Sequence, residues 1–475
     1  VDQDRTGKQI VVVGAGASGL LAAGRAAELG CRVLLLEKTE RPGNKLRLSG
    51  GSGCNLTNAG DLEDFVPMYG PNGRFLYGAF RQFFRDDLLS LLSCHGVETE
   101  TKPDGRVFPS SNRADDVVRA LERFAAERGV RVIPRARVTA IRATRKRIAA
   151  VVTDAGEHRA AAVVLAAGGA SYPETGSTGD GYELAAALGH SIAALRPALV
   201  PLIVREAALA RSLQGVSLRH VRLTAHRCPA AEVDPLLTVS RDYGRGIGER
   251  QPRHGVIESR TGDMVLTHFG ISGPIVLLMS LAIVEALEQG PVSVSIDLFP
   301  DVDEGQLRQR LQDEFHRHGG RGVRHLLDGL LPHKTVEHFI RMAGMPADRL
   351  GARVTAGERE GLLRLLKSLR FNIQGPLPMA SAMVTAGGVA LDEIDPQTMA
   401  SRLVKGLFFC GEVIDVDGGS GGYNLQAAFS TGYVAGEHAC RTACAGPRRS
   451  KAPEAPGCRT PAVPGPRRSG AGRPH

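Results

Sequence analysis

The chain has 475 residues, 43% of them apolar and 23% charged, with a formal net charge of +9. That is ordinary for a globular protein with room for two or three domains and a sizeable core. Eight basic residues and one acidic residue lie from Arg441 onward, a surplus of seven, so the remainder carries only +2. The overall charge therefore says little about nucleic-acid binding by the body of the chain. No apolar run is long enough for a membrane helix, and Ile275 to Val284 reads as a buried helix. Val1 to Gln9 lacks the apolar core of a signal peptide, so a cytoplasmic protein without membrane contact is expected. The eight cysteines show no CxxC pair and no zinc-like spacing with histidine. Reduced thiols and no metal site are expected from that.

The first element is an apolar strand, Ile10–Val13, followed by Gly14-Ala15-Gly16-Ala17-Ser18-Gly19, an Ala/Leu-rich helix, and a second strand, Val33–Leu36, that ends at Glu37. Strand, glycine turn, helix, strand and acid form the fingerprint of a site for the ADP half of a dinucleotide. Gly14 permits the turn, Gly16 admits the pyrophosphate, and Gly19 lets the helix pack on the strand. The helix N-terminus offers N–H groups to phosphate. Glu37, eighteen residues after Gly19, suits a free ribose 2′-OH and repels a 2′-phosphate. FAD or NAD is expected over NADP.

A helix is expected over Asp116–Gly129 and strands over Val130–Ile133, Arg137–Ala143, Ile148–Asp154 and Ala162–Ala167, the last ending in Gly168-Gly169. A β-hairpin inserted before such a strand suits a flavin-binding Rossmann domain. A glycine cluster, Gly176–Gly181, leads into a helix from Tyr182 to Leu188. Its spacing is wrong for a second dinucleotide motif, and it reads as a flavin-proximal loop. Any nicotinamide, as NAD(P)H, must then bind transiently as a reductant.

From 192 to 298 the pattern turns to short strands: Leu199–Val204, Leu218–Thr224, Met264–Thr267 and Val292–Leu298. Between Ser240 and Arg260 a loop carries Arg241, Arg245, Arg250, Arg253 and Arg260. Residues 301–369 are helical, with Leu307, Leu311 and Phe315 at i, i+4 and i+8. Strands return at Phe371–Ile373 and Met383–Thr385. Leu407–Phe409 then leads through Cys410 to Gly411-Glu412, and a glycine-rich run opens a helix at Tyr423-Asn424-Leu425. Such a distant strand–acid–glycine–helix unit completes many FAD sites, its helix N-terminus aimed at the flavin N1/C2=O edge. Beyond Arg441 the Pro/Gly/Ala/Ser/Arg composition predicts disorder.

These segments resemble the HI0933-like flavoprotein family, also called the aminoacetone oxidase or YhiN-type family. The resemblance rests on Val12–Gly19, Lys45–Asn58 (KLRLSGGSGCNLTN), Gly105–Asn112 (GRVFPSSN), Val164–Tyr172, Thr267–Pro274 (THFGISGP), Val384–Val389 (VTAGGV) and Leu407–Gly436. It covers most of residues 9–440. It implies an α/β fold: a split Rossmann-like FAD-binding domain (1–190 and 381–442), a β-barrel-like second domain (191–300 and 368–380) and an inserted helical domain (301–367). A disordered basic tail (443–475) is extra, and the 227–261 loop is longer than usual. Where the family reads SGGGRCN, this chain has Gly53 in place of the arginine.

The residues expected to hold FAD are Gly14, Gly16, Ala17, Ser18, Gly19, Glu37, Lys38, Lys45, Ser49, Gly50, Gly51, Ala167, Gly168, Gly411, Glu412, Gly422, Tyr423, Asn424 and Leu425. Cys54, after a glycine-rich turn, is either a proton donor to a reduced C=C bond or a small packing residue. His268 is either an acid/base or a partner of turn backbone. Arg106 and Asn112 either face the site or tie down a loop.

The function expected is an FAD-dependent oxidoreductase reducing an activated C=C bond. The resemblance points to a uridine of large-subunit rRNA, reduced to dihydrouridine by hydride at C6 and a proton at C5. The basic loop 241–260, Arg142–Arg147 and the tail would then meet RNA. The alternatives are a small-molecule oxidase or reductase, either an aminoacetone-type amine oxidase or an enone reductase, and a non-catalytic RNA-binding flavoprotein. Substrate position, reductant and oligomeric state are left open.

Overall fold

The structure is a computed structural model and describes residues 9–233, 242–244 and 255–444. Its centre is a five-stranded parallel sheet in the order Leu407–Phe409, Ala162–Leu165, Gln9–Val13, Arg32–Leu36, Arg131–Ile133. These strands read as unbroken apolar runs because both faces are covered. Ile10, Val12, Leu35, Val164 and Phe408 face the helices Ala17–Glu28, Ala114–Glu127 and Tyr423–Cys444. Val11, Val13, Leu34, Leu36, Val163 and Phe409 face the other way. There they join Ile141, Ile148 and Val151 of an antiparallel three-stranded sheet, Val138–Thr144, Arg147–Thr153 and Gly156–Arg159. The expected hairpin insertion thus has a third strand. Its first turn carries Arg145 and Lys146, both with positive φ, and Arg142 pairs with Glu157 at 2.8 Å.

The segment 62–94 folds as short helices. Phe65, Tyr69, Phe80 and Phe84 form an aromatic cluster there, in which Phe65 and Tyr69 meet Tyr423.

An antiparallel pair, Ile192–Ala198 with Val384–Val389, leads to a closed six-stranded antiparallel barrel. Around it run Leu202–Val204, Gly270–Ser272, Val256–Leu266, Ser217–His226, Ser293–Asp297 and Leu369–Pro376. The expected strand Leu199–Val204 is broken. Leu199 takes a left-handed φ of 51° and Pro201 has no N–H, so the ladder restarts at Leu202. The inserted helices Glu304–Arg317, Val323–Leu327, His333–Met342 and Ala356–Lys367 share one core with the barrel: Leu307, Phe315, Phe339 and Leu366 lie with Leu369 and Phe371. Two start where the sequence carries reciprocal caps. Asp303 accepts from the Gln306 N–H at 2.8 Å, and Thr355 from the Glu358 N–H at 3.2 Å.

Three expectations are corrected. The loop thought to reach Arg260 ends earlier, because Val256–Leu266 is a barrel strand. Arg260 is buried with its Nε on Glu258 Oε1 at 2.5 Å, so it is not an exposed RNA contact. Arg241, Arg245, Arg250 and Arg253 lie outside the described residues. The last helix continues to Cys444, past the expected start of disorder, and 445–475 lie outside the described residues. Finally, not all cysteines are reduced: Cys31 and Cys440, 409 residues apart, form a disulfide with a Cα separation of 5.9 Å. The turn after the first helix there meets the end of the last. Among the described residues no helix is long and apolar enough to cross a membrane.

Candidate functional site

The parallel sheet reverses its order between Gln9–Val13 and Ala162–Leu165. Ligands of such sheets bind outside the carboxyl ends of the strands at this switch point. The glycine turn leaves the first strand here. A Cβ on Gly19 would lie 1.9 Å from the Gly14 carbonyl oxygen, so helix and turn pack as close as glycine allows. A Cβ on Gly16 would meet nothing within 4 Å. Gly16 lines a cavity of about 520 Å³.

Most residues expected to hold the cofactor come together around it. Gly14, Gly16, Ala17 and Ser18 line one wall, with Glu37 and Lys38 at the next strand end. Lys45, Ser49, Gly50 and Gly51 come from the following segment, and Ala167 and Gly168 from the end of the strand Ala162–Leu165. Gly411, Glu412, Gly422, Asn424 and Leu425 come from the far end of the chain. Gly19 and Tyr423 do not line it. Gly19 is spent on packing. Tyr423 turns its ring edge-on to Phe65 at 4.8 Å, and its carbonyl accepts from the Tyr69 hydroxyl at 2.7 Å.

Glu37 is 8% exposed. Its carboxylate accepts from the Ala15 N–H at 2.8 Å and from the Thr39 N–H and hydroxyl, each at 2.8 Å. It thereby fixes the glycine turn as well as facing the cavity. Glu37→Ala is expected to cost roughly 1–3 kcal/mol of FAD affinity, the loss of hydrogen bonds to a charged group. Flavin-fluorescence titration measures it, and an unchanged dissociation constant would contradict the role. Gly176, Ser177 and Asp180 line the cavity, with Gly176 beside Glu37, so that cluster borders the acid's end. Lys38 Nζ meets Asp180 Oδ2 at 3.2 Å. Burial acts against ionisation of Asp180, but hydrogen bonds from Thr178 and Lys38 hold it below its ordinary value.

Across the cavity, Lys45 Nζ donates to Glu412 Oε2 at 2.5 Å and to Ser171 Oγ at 2.7 Å. Glu412 Oε1 accepts from the Thr385 N–H at 2.8 Å and Ser171 Oγ at 3.1 Å. One ion pair thus knots four distant segments. Asn424 uses its side chain on loop backbone: Oδ1 accepts from the Gly418 N–H at 2.8 Å, and Nδ2 donates to the Gly418 carbonyl at 2.7 Å. The first bond of the last helix runs from the Gln426 N–H to the Gly422 carbonyl at 3.1 Å. The N–H groups of the preceding turn therefore start without helical partners, at a mouth whose Asn424 and Leu425 line the cavity. Two helix N-termini, an open glycine face and a buried acid fit a dinucleotide flavin.

The catalytic expectations fare differently. Cys54 is fully buried in the core among Leu46 and Leu56 and does not line the cavity. Burial pushes its thiol up to about 12. This placement fits the packing alternative: the loop holds the residue inward at φ 62°. Cys54→Ala is expected to leave substrate reduction within about twofold and to cost about 1 kcal/mol of stability from the lost sulfur contacts. Stopped-flow and thermal melts read the two. His268 is exposed at the turn between two barrel strands, edge-on to Phe269 at 5.0 Å, and does not line the cavity. Thr267, not His268, holds that turn, its hydroxyl accepting from the Gly270 N–H at 3.1 Å.

Arg106 and Asn112 do face a cleft. Lys102, Pro103, Asp104, Arg106, Phe108 and Asn112 line a second space of about 450 Å³. Arg106 and Phe108 line both spaces, so the two are adjacent. The Arg106 guanidinium lies 5.7 Å over the Phe108 ring, and its Nε pairs with Asp104 at 2.7 Å. A Cβ on Gly53 would lie 2.5 Å from Asn112 Oδ1. Asn112 thus crowds the position where the family pattern has arginine. Phe108 and Lys102 were missed, although Phe108 stands inside the GRVFPSSN segment. A buried aromatic in a strand reads as core until a neighbouring cleft is seen.

The family model described as HI0933-like protein Rossmann domain matches residues 8–438. The chain is similar to the 3-dehydro-bile acid delta(4,6)-reductase of Clostridium scindens, 30% identical over 434 residues, 91% of this chain and 98% of that protein. It is similar to the ribosomal RNA dihydrouridine synthase of Escherichia coli, 29% identical over 428 residues, 89% of this chain and 96% of that protein. Among solved structures, a quinol-fumarate reductase with menaquinol shows 18% identity and a TM-score of 0.48 over 93% of this chain and 73% of that one. The match over nearly the whole chain, on a sheet whose glycine turn and distant helix meet at one cavity, places the protein in the HI0933-like family of FAD-dependent oxidoreductases.

Proposed function

We propose that the protein reduces a carbon–carbon double bond conjugated to a carbonyl, and that its substrate is a uridine of large-subunit rRNA, giving dihydrouridine. The observation that carries this reading is the Lys102–Asn112 cleft, whose rim residues Lys102, Pro103, Asp104, Arg106 and Asn112 are exposed and which shares Arg106 and Phe108 with the cofactor cavity. A base lifted out of an RNA loop enters such an opening without the polymer having to enter. Phe108 supplies an aromatic wall for it, and Lys102 supplies positive charge toward phosphate. The names of the two relatives point to one chemistry, since saturating uracil and saturating an unsaturated 3-oxo steroid ring both reduce a C=C bond activated by C=O.

FAD, held by Glu37, the glycine turn and the mouth of the last helix, supplies hydride when bound and reduced, with NAD(P)H engaging transiently as reductant. Arg106 then donates a hydrogen bond to the substrate carbonyl as negative charge grows on its oxygen, and a proton from solvent completes the reduction at the carbon next to the carbonyl. Arg106→Ala is expected to lower kcat/KM by about a hundredfold, the scale of losing one such donor, with FAD content unchanged. The reading is tested by mapping dihydrouridine in ribosomal RNA of a deletion strain with and without the gene restored. A position that loses dihydrouridine on deletion and regains it on restoration supports it; no difference at any position overturns it. The 30% identity to a bile acid reductase favours, as second reading, an enone of similar size in the same cleft. Turnover of a 3-oxo-Δ4 steroid without turnover of RNA decides for it.

A further inference from the structure

Three sulfur atoms converge where the first and last helices meet. Cys31 and Cys440 form the disulfide, and the Sγ of Cys444 lies 3.6 Å from that of Cys31. Cys31 and Cys440 are 6% and 3% exposed, whereas Cys444 is exposed and free. All three sulfurs lie within 4.8 Å of one another. Cys440 and Cys444 are one helical turn apart on the last helix, so both face Cys31. A disulfide with a third thiol in reach of one of its sulfurs is the arrangement that thiol–disulfide exchange requires.

We infer that Cys31, Cys440 and Cys444 form a redox-exchange site whose ligand is a low-molecular-weight thiol. The Cys444 thiolate attacks Cys31 Sγ. The Cys31–Cys444 bond forms, the Cys31–Cys440 bond breaks, and Cys440 leaves as thiolate and takes up the proton that Cys444 gave up. No net electrons move in this step. The disulfide now includes an exposed sulfur. A small thiol attacks Cys444, forming a mixed disulfide there and releasing Cys31 as thiol. A second small thiol attacks the mixed disulfide, leaving three protein thiols and one small-molecule disulfide. The protein disulfide is reduced by two electrons, and two small thiols are oxidised. The reverse sequence, driven by the small disulfide, closes the link again.

The site has a consequence for the architecture. The link joins the helix that follows the glycine turn to the helix whose N-terminus lines the same cavity. Arg25 and Glu437, paired at 2.5 Å, cross the same two helices one turn nearer the cavity.

The test uses the full-length, FAD-loaded protein and reduced glutathione as probe. Samples are alkylated at timed intervals and their disulfides mapped by mass spectrometry. Wild type is expected to show the Cys31–Cys440 pair first, then Cys31–Cys444 and glutathione on Cys444. Cys444→Ser, which changes an exposed side chain, is expected to keep only Cys31–Cys440 and to be reduced about tenfold more slowly, because its buried sulfurs must be attacked directly. Cys440→Ser is expected to form Cys31–Cys444. Absence of the Cys31–Cys444 pair from wild type, together with equal reduction rates in wild type and Cys444→Ser, overturns the inference. So does one zinc ion per chain in the purified protein with all three thiols protected from alkylation and no disulfide.

Discussion

Gly16→Val is expected to give a folded protein with less than about a tenth of the wild-type flavin, a loss of more than 1.4 kcal/mol in affinity. The two halves of this expectation come from one observation. A Cβ at this position meets no protein atom within 4 Å, so the chain accommodates the side chain. The space it enters is the cavity beside the helix N-terminus, where backbone N–H groups await phosphate. Circular dichroism and the melting temperature of the flavin-free protein should match wild type, while absorbance near the flavin band should vanish. A full complement of flavin in this variant would mean that the turn does not cradle the pyrophosphate.

Gly432→Val is expected to act on the same site from outside the cavity. Gly432 and Gly436 lie one turn apart on the last helix and press against the first. Their Cβ atoms would sit 2.4 Å from the Ser18 carbonyl oxygen and 2.2 Å from that of Ala22. Backbone cannot rotate away as a side chain does, so a valine must push the helices apart. The expected cost is about 1–3 kcal/mol of stability or more, with weakened FAD retention, because these two helices bring the two ends of the chain to one cavity. Gly357→Val, at an exposed position near the start of the helix Ala356–Lys367 where a Cβ meets nothing within 4 Å, controls for the effect of valine itself. Equal melting temperatures and equal flavin content in the two variants would show that the close approach is not needed.

The cofactor half of the site was legible because its signals are local. Gly14–Gly19 and Glu37 lie within one strand–helix–strand unit, and the spacing alone dictates where each must stand. Gly411–Leu425 repeats that logic at the other end. What stayed hidden depends on long-range approach. No periodicity tells that Cys31 meets Cys440 and Cys444, or that Lys45 pairs with Glu412 across 367 residues. The barrel was legible as short strands but not as a closed ring, since closure is a property of pairing rather than of any one strand. The inward turn of Cys54 illustrates the other limit. A loop sequence can place a backbone near a ligand without saying to which side a single side chain points, and here a left-handed φ sends the thiol into the core. Tyr423 differs from its neighbour Asn424 for the same reason: the aromatic cluster from 65–84 captures its ring.

The proposed function has this FAD-dependent oxidoreductase deliver its electrons to a C=C bond of uridine in RNA. The most direct measurement mixes chemically reduced, FAD-loaded protein with unmodified large-subunit rRNA under anaerobic conditions and quantifies dihydrouridine by nucleoside mass spectrometry. Dihydrouridine is expected at a discrete position, formed in step with loss of reducing equivalents and suppressed steeply by salt as phosphate contacts weaken. No dihydrouridine in the RNA, with hydrogen peroxide released when the oxidised protein meets a small amine in air, would contradict it.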